Sequence, residues 1–181
     1  MKTVLIKKHY INGKTADFFG GFCILLLKTK IIKPRGDNMQ NDTVSLLKEC
    51  NSGIKMGVNS IEKVLPYVND RNLKKNLNAC KDEHATLGDE THKMLLKYNA
   101  STKDPHPVAR VMSSMKTTGK MLVDRTDNTI ADVMTDGCNM GVKSLNKYLT
   151  RYQKADQRAK NIAQRLIDIE ENLTQNLRSY L

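Results

Sequence analysis

His84 and Glu170 are the residues of this sequence best placed for chemistry in a buried setting. Each stands within an amphipathic pattern, His84 in residues 73–95 and Glu170 in residues 159–177, at a position that otherwise carries apolar side chains. A buried carboxylate is costly unless it is paired, and an imidazole is a natural partner. We predict a structural pair whose contribution to stability changes around neutral to mildly acidic pH. The alternatives are two partly exposed rim residues or two metal ligands.

The cysteines give no sign of a metal or nucleophile motif. Their spacing contains no Cys-x-x-Cys pair and fits no zinc site. Three of the four fall on apolar stripes, and we predict that they are buried small side chains, as suits a reducing cytoplasm. These three are Cys50, Cys80 and Cys138, while Cys23 lies near the start of the chain. The sequence also shows no glycine-rich phosphate loop, no Ser/His/Asp arrangement and no Cys/His nucleophile pair.

Long amphipathic helices must position these residues. Apolar side chains recur at steps of three and four residues through most of the chain after Asn41, which predicts an all-α protein. Asn41, Asp42 and Thr43 offer capping side chains at the start of the first helix. The predicted helices span about residues 42–65, 70–97, 106–123, 128–151 and 155–179.

An internal repeat relates the two halves of this pattern. Residues 53–65 and 137–149 are identical at seven of thirteen positions. The helices that follow also correspond, with an offset of 86 residues that aligns His84 with Glu170. A duplicated helical hairpin predicts a four-helix bundle, with the segment at residues 105–123 as a crossover between the halves.

Both copies of the repeat carry a Gly-x-x-x-Gly pair, Gly53 with Gly57 and Gly137 with Gly141. Glycine inside a helix costs about 1 kcal/mol relative to alanine, so its presence needs a packing reason. We predict that the pairs allow helices one and three to approach closely. The alternative is that glycine makes room for a bulky neighbour such as Met56 or Tyr148.

Two short segments, together with this architecture, carry a family resemblance. Residues 46–50 precede Gly53 in the first helix, and residues 69–74 form the turn into the second. With the two hairpins and the crossover, residues 41–181 resemble the ferritin-like superfamily, closest to bacterial ferritin-like domains of unknown function. The resemblance implies a ferritin-like fold and permits a stress- or envelope-related role. Members of that superfamily that bind iron or manganese do so through a Glu from each of two helices and a Glu-x-x-His motif from each of the other two.

The sequence departs from that metal-binding pattern. Lys81 stands three residues before His84, where a carboxylate is required, and Ile167 stands at the corresponding position before Glu170. The third helix has no carboxylate on its apolar stripe. A degenerate iron or manganese site therefore remains only as the alternative interpretation. Its candidate ligands are His84, Glu170, Glu83 and Glu49, with Asp136 nearby in the pattern.

Residues 1–38 differ in composition from the rest of the chain. They contain all three phenylalanines and carry a net charge of +6, while the other 143 residues carry 22 basic and 17 acidic side chains, or +5. We interpret residues 1–38 as a leader that precedes a bundle at residues 39–181. The leader is translated upstream sequence before a native start at Met39, a signal or membrane-anchor segment around the apolar residues 18–27, or a genuine extension.

These observations favour a non-catalytic protein. The net charge of +5 is spread among interleaved acids, and we expect no nucleic-acid binding. We predict a bundle in the bacterial cytoplasm that forms a homo-oligomer or binds a protein partner, with no cofactor. We expect membrane association only if residues 18–27 belong to the mature protein. The alternative is a metal-binding or redox protein with a degenerate site around His84 and Glu170.

Overall fold

The computed structural model describes residues 10–11, 14–15, 35–100 and 124–181. The chain divides into two units, Met1–Lys33 and Pro34–Leu181. In the first unit, strands β1 (Tyr10–Ile11) and β2 (Lys14–Thr15) form a short antiparallel pair. The predicted helix at residues 106–123 and the apolar segment at residues 18–27 lie outside the described residues.

Four helices make up the described part of the second unit. Helices α1 and α2 pack together as one hairpin, and α3 and α4 pack together as the other. The hairpins then pack on each other, with α4 against both α1 and α2, and α1 against α3. The predicted four-helix bundle is therefore confirmed. The helices are α1 (Arg35–Val64), α2 (Arg71–Lys97), α3 (Asp127–Arg151) and α4 (Gln157–Leu177), with 3-10 turns at Leu65–Tyr67 and Arg178–Tyr180.

An aspartate immediately precedes the second helix of each hairpin as its N-cap residue. Its carboxylate accepts a hydrogen bond from a backbone N–H that the helix leaves free. Asp70 Oδ1 accepts a hydrogen bond of 2.7 Å from Leu73 N at the start of α2. Asp156 Oδ1 accepts one of 2.7 Å from Ala159 N at the start of α4. The two aspartates are aligned by the repeat, and they perform the same task in both halves.

Helix α1 begins at Arg35, whereas the sequence pattern predicted a start near residue 42. The expected capping residues therefore lie inside the helix, as does the predicted boundary between residues 38 and 39. Asp42 Oδ2 accepts a hydrogen bond of 3.1 Å from Lys154 N, and Thr43 Oγ1 accepts one of 2.8 Å from Asp156 N. These side chains cap the turn between α3 and α4 in the other hairpin.

The turn of the first hairpin is capped in return by α3. Asp127, the first residue of α3, accepts hydrogen bonds of 2.9 Å from Asn69 N and 2.8 Å from Asp70 N through its two carboxylate oxygens. Each hairpin turn is thus held by side chains from the first helix of the opposite hairpin. The contacts between the two hairpin turns and the opposite hairpins are therefore reciprocal.

Two tyrosines complete the exchange, and we call each tyrosine–aspartate contact a clasp. Tyr98, after α2, donates a hydrogen bond of 2.6 Å to Asp156 Oδ2, and Tyr180, after α4, donates one of 2.7 Å to Asp70 Oδ1. The hydrogen bond to the aspartate raises the pKa of each tyrosine above its ordinary value. The end of each second helix is therefore tied to the beginning of the other.

We expect Tyr98→Phe and Tyr180→Phe each to lower the melting temperature, because each leaves an aspartate without one of its donors. The clasps lie at opposite ends of the bundle, so the loss in the double variant should equal the sum of the two. Differential scanning calorimetry measures all three. Tyr67→Phe is the control, since Tyr67 is exposed and stacks on Arg125 through its ring. A drop at Tyr67 as large as at the clasps would contradict this role for the hydroxyl groups.

The apolar core has two halves with a polar layer between them. The first half joins the start of α1 and the end of α2 to the end of α3 and the start of α4, and the second half joins their opposite ends. The largest fully buried side chains include Leu46, Leu47, Leu95 and Leu166 in the first half and Leu73, Leu77, Ile130 and Leu177 in the second. In the described residues, no helix combines the length and apolar character that a membrane span requires.

Candidate functional site

His84 and Glu170 meet in the polar layer between the two halves of the core. His84 Nε2 lies 3.4 Å from Glu170 Oε1, and the two residues are 1% and 9% exposed. They come from α2 and α4, the second helices of the two hairpins, at positions that the repeat aligns. The predicted buried pair is confirmed.

The contacts of His84 favour its protonated form. Its Nδ1 lies 2.9 Å from the carbonyl oxygen of Cys80, which can only accept, so Nδ1 carries a proton. Nε2 lies 3.4 Å from Glu170 Oε1 and can donate a second hydrogen bond to that oxygen when the ring is protonated. Burial disfavours the imidazolium, but contacts with Cys80 and Glu170 outweigh burial and raise the pKa of His84 to about 10. The layer therefore contains an imidazolium paired with a carboxylate.

Glycines of the repeat create the space that this pair occupies. An alanine Cβ at Gly57 would lie 2.6 Å from His84 Nε2, and one at Gly141 would lie 3.2 Å from Glu170 Oε1. The second glycine of each Gly-x-x-x-Gly pair thus makes room for a side chain from a neighbouring helix. That side chain is the imidazole or the carboxylate, and Met56 and Tyr148 were the wrong neighbours.

Two thiols extend the polar layer. Cys80 Sγ lies 3.5 Å from His84 Nδ1 on the same helix. Cys138, from α3, makes a side-chain hydrogen bond with Glu170, and burial together with the negative charge of Glu170 raises its pKa. We call Cys80, His84, Cys138 and Glu170 the central cluster. Helix α1 contributes no side chain to the central cluster, but its Gly57 lies against the ring of His84.

The remaining candidate metal ligands do not join the central cluster. Glu83 is exposed to solvent. Glu49 is half-buried and lies beside Tyr148 and Tyr152, whose pKa values are raised by burial and by its carboxylate. Asp136 is exposed as well. The four-residue set of the alternative interpretation is therefore not brought together.

The central cluster itself has a geometry that suits pairing better than metal coordination. The sulfur of Cys80 and the carboxylate of Glu170 contact opposite nitrogens of the His84 ring. A single ion can bind one of these nitrogens, so it cannot gather the sulfur, the ring and the carboxylate in this arrangement. Among the described residues, no group of three or more histidine, cysteine, aspartate or glutamate side chains could hold a metal ion.

The cysteines on the apolar stripes are buried and free, as predicted. Cys50 lies wholly within the first half of the core, where burial and the nearby charge of Glu49 raise its pKa to about 12. The contact between Cys80 and His84 was not predicted. Its sequence signal is the spacing of four residues, which places both side chains on one helix face.

The raised pKa of His84 gives the bundle a pH dependence. Because the pKa in the folded state is about 10 and the ordinary value is 6.5, the pair contributes fully below about pH 6.5 and loses its contribution as the pH rises to 10. The range is neutral to alkaline, in contrast to the mildly acidic range expected from an ordinary histidine.

We expect the unfolding free energy of the natural chain, relative to a His84→Leu/Glu170→Leu variant, to fall by at least ~1 kcal/mol between pH 6 and pH 10. The subtraction removes the tyrosines and other groups that titrate in both proteins. Urea denaturation at the two pH values measures the change. A difference that stays constant or grows with pH would contradict the charged pair.

Comparisons with known proteins identify the fold. The chain is similar to the crystal structure of a DUF305 fragment from Deinococcus radiodurans, with a TM-score of 0.61 and 11% identity over 76% of this chain and 93% of that one. It is also similar to the crystal structure of Dps92 from the same organism, with a TM-score of 0.60 and 14% identity over 80% and 88% of the two chains. No protein-family model and no curated protein matches the sequence. At these identities, the shared feature is a helical-bundle fold.

Proposed function

We propose that this chain is a ferritin-like bundle with a non-catalytic role, acting by association with a second copy of itself or with another protein. The observation that carries the proposal is the internal pairing of the central cluster. Both ring nitrogens of His84 have partners, and Glu170 contacts both His84 and Cys138. The polar groups of the central cluster therefore satisfy one another, as expected of a structural element.

The ferritin-like assignment is supported by the duplicated hairpins and by the bundle fold shared with the two Deinococcus proteins. A bacterial cytoplasm is supported by three free buried thiols, because disulfides are uncommon in that compartment. A stress-related role is an extension of the family resemblance. The described surface carries large apolar side chains at scattered positions, which are available for association: Met39, Tyr67, Leu96, Met140 and Leu181.

One experiment tests the proposal that the chain holds no iron or manganese. The full chain is loaded anaerobically with Fe(II) or Mn(II), desalted and submitted to elemental analysis. We expect well below one ion per chain, the same in His84→Ala and in Glu83→Gln. Glu83→Gln is the matched control, because it removes an exposed carboxylate next to His84 in sequence. One or two ions per chain, lost in His84→Ala and kept in Glu83→Gln, would contradict the proposal and favour a redox protein.

Light scattering coupled to size-exclusion chromatography tests self-association of the full chain. We expect a mass at or above twice 20.5 kDa that decreases on dilution if the interface is weak. A monomer at all concentrations would exclude the homo-oligomer and leave association with a different protein as the form of the proposal to test. Chemical cross-linking with mass spectrometry would then locate the surface involved.

A further inference from the structure

The outer face of α3 carries charges of opposite sign on its two halves. Asp132 and Asp136 lie in the first half, and Lys143, Lys147 and Arg151 lie in the second. Asp132 is half-buried, and the other four residues are exposed to solvent. The spacings of four and seven residues place all five along one face of the helix. This face therefore changes from acidic to basic near the middle of α3.

Nothing within the described part of the chain accounts for this separation of charge. Like charges four residues apart repel each other on a helix, and α3 places two acids and then three bases at that spacing. The helix dipole favours acids in the first turn and bases in the last turn, which leaves Asp132, Asp136 and Lys143 unexplained. Asp136, Lys143 and Lys147 make no hydrogen bond or ion pair with another described residue. Their charges are available to a partner.

The same charges complement one another when two copies of α3 lie antiparallel. With a twofold axis at the middle of this face, between residues 139 and 140, residues equally distant from the axis face each other. Asp136 then faces Lys143 of the partner subunit, and Asp132 faces the partner subunit's Lys147. Within one copy, Asp136 and Lys143 are about 10 Å apart along the helix, which is too far for an ion pair. A parallel arrangement would bring each charge against its own copy, so the pattern favours the antiparallel one.

A large apolar side chain occupies the centre of this pattern. Met140 is 45% exposed, and it lies directly beside the axis that pairs the charges. Two copies of its side chain would meet there, with the ion pairs on either side along the helices. Protein interfaces commonly combine an apolar centre with a polar rim. The exposed methionine and the charge pattern are independent observations, and they indicate the same contact.

We propose that two copies of this chain dimerise through antiparallel contact between their α3 helices, with Met140 at the centre and Asp136 paired with Lys143 of the partner subunit. The inference rests on the proposed function and names the surface through which self-association occurs. Asp132 also has an interaction within its own chain, so the pair formed by Asp136 is the one to test. The dimer weakens at high salt, because the range of exposed charges falls from about 10 Å in 0.1 M salt to about 3 Å in 1 M.

Sedimentation equilibrium of the full chain measures the dissociation constant of the dimer. We expect Asp136→Lys and Lys143→Asp each to raise it roughly tenfold or more, because the twofold axis makes every contact twice and one substitution reverses two ion pairs. Asp89→Lys is the control, since it makes the same change at an exposed aspartate of α2 and should leave the constant unchanged. Lys143→Asp also lowers the net positive charge, so weaker association in this variant cannot come from general repulsion between the chains.

An equimolar mixture of the Asp136→Lys and Lys143→Asp variants gives the sharpest result. In a mixed dimer the new lysine faces the new aspartate, and the natural Lys143 faces the natural Asp136. We therefore expect the mixture to associate as tightly as the natural chain, although neither variant does so alone. A mixture that stays monomeric would overturn the proposal.

The natural chain provides the remaining outcomes. A dimer that neither charge reversal nor about 1 M NaCl weakens would overturn the contact through α3, while self-association as the proposed function would stand. A chain that is monomeric at every concentration would overturn both the α3 contact and the homo-oligomer. Circular dichroism of each variant shows whether the bundle is folded, and the salt dependence of the natural chain decides without any variant.

Discussion

Replacing either His84 or Glu170 by leucine is expected to lower the unfolding free energy by about 3–5 kcal/mol, because each change leaves the opposite charge buried without its partner. The residues lie 3.4 Å apart and are almost wholly inaccessible to water. Leucine cannot accept the hydrogen bond from His84 Nε2 or donate one to Glu170. Urea denaturation at pH 6, where His84 is charged, measures the loss.

The double variant His84→Leu/Glu170→Leu should be much less destabilised than the sum of the two single variants. No charge is left in the core, and apolar replacements for a buried ion pair are often close to neutral. The difference between the sum and the double variant is the coupling energy of the pair. Glu83→Leu is the control, since Glu83 is exposed and its change should stay within about 0.5 kcal/mol. Single variants as stable as the natural chain would mean that the two residues do not pair.

Gly57→Ala is expected to destabilise the bundle by about 1–3 kcal/mol, which is the cost of overpacking a closely packed core. Helix propensity alone gives the opposite sign, since alanine favours a helix by about 1 kcal/mol over glycine. The methyl group would lie 2.6 Å from His84 Nε2 and 2.8 Å from Cδ2. The ring must therefore move, and its hydrogen bonds with Cys80 and Glu170 move with it.

Gly53→Ala is the matched control for Gly57→Ala. It makes the same change one turn earlier on α1, where the new methyl group would lie 3.5 Å from Leu166 Cδ2 in ordinary contact. We expect Gly53→Ala to be neutral or stabilising and Gly141→Ala, with 3.2 Å to Glu170 Oε1, to be intermediate. Equal effects of Gly53→Ala and Gly57→Ala would show that the ring is easily displaced.

The internal repeat made it possible to predict the four-helix bundle from the sequence alone. It predicted two hairpins of similar length. The predicted ranges of residues 70–97 and 128–151 differ by one residue at their starts from Arg71–Lys97 and Asp127–Arg151. The start of α1 was missed by seven residues. Asp42 and Thr43 have the side chains of a helix cap, and the sequence does not reveal that they cap a turn in the other hairpin.

The repeat also made it possible to predict part of the candidate site. The alignment of His84 with Glu170 placed two opposite ionisable groups on facing helices, and they do meet. The position of Glu49 beside two tyrosines depends on packing between α1 and α3, which periodicity does not resolve. Periodicity does not predict the clasps either, because Tyr98 and Tyr180 lie after the ends of the apolar stripes.

The reciprocal clasps bear on how such a chain can arise. A protein with one hairpin per chain could form both clasps as a homodimer, since a twofold axis repeats every contact. On that axis, the residue equivalent to His84 and Glu170 would face its own copy, so an acid could not be paired with a base. Joining both hairpins in one chain allows the halves to diverge until an acid meets a base. The central pair is a chemical asymmetry that gene duplication and fusion permit and that identical subunits cannot achieve.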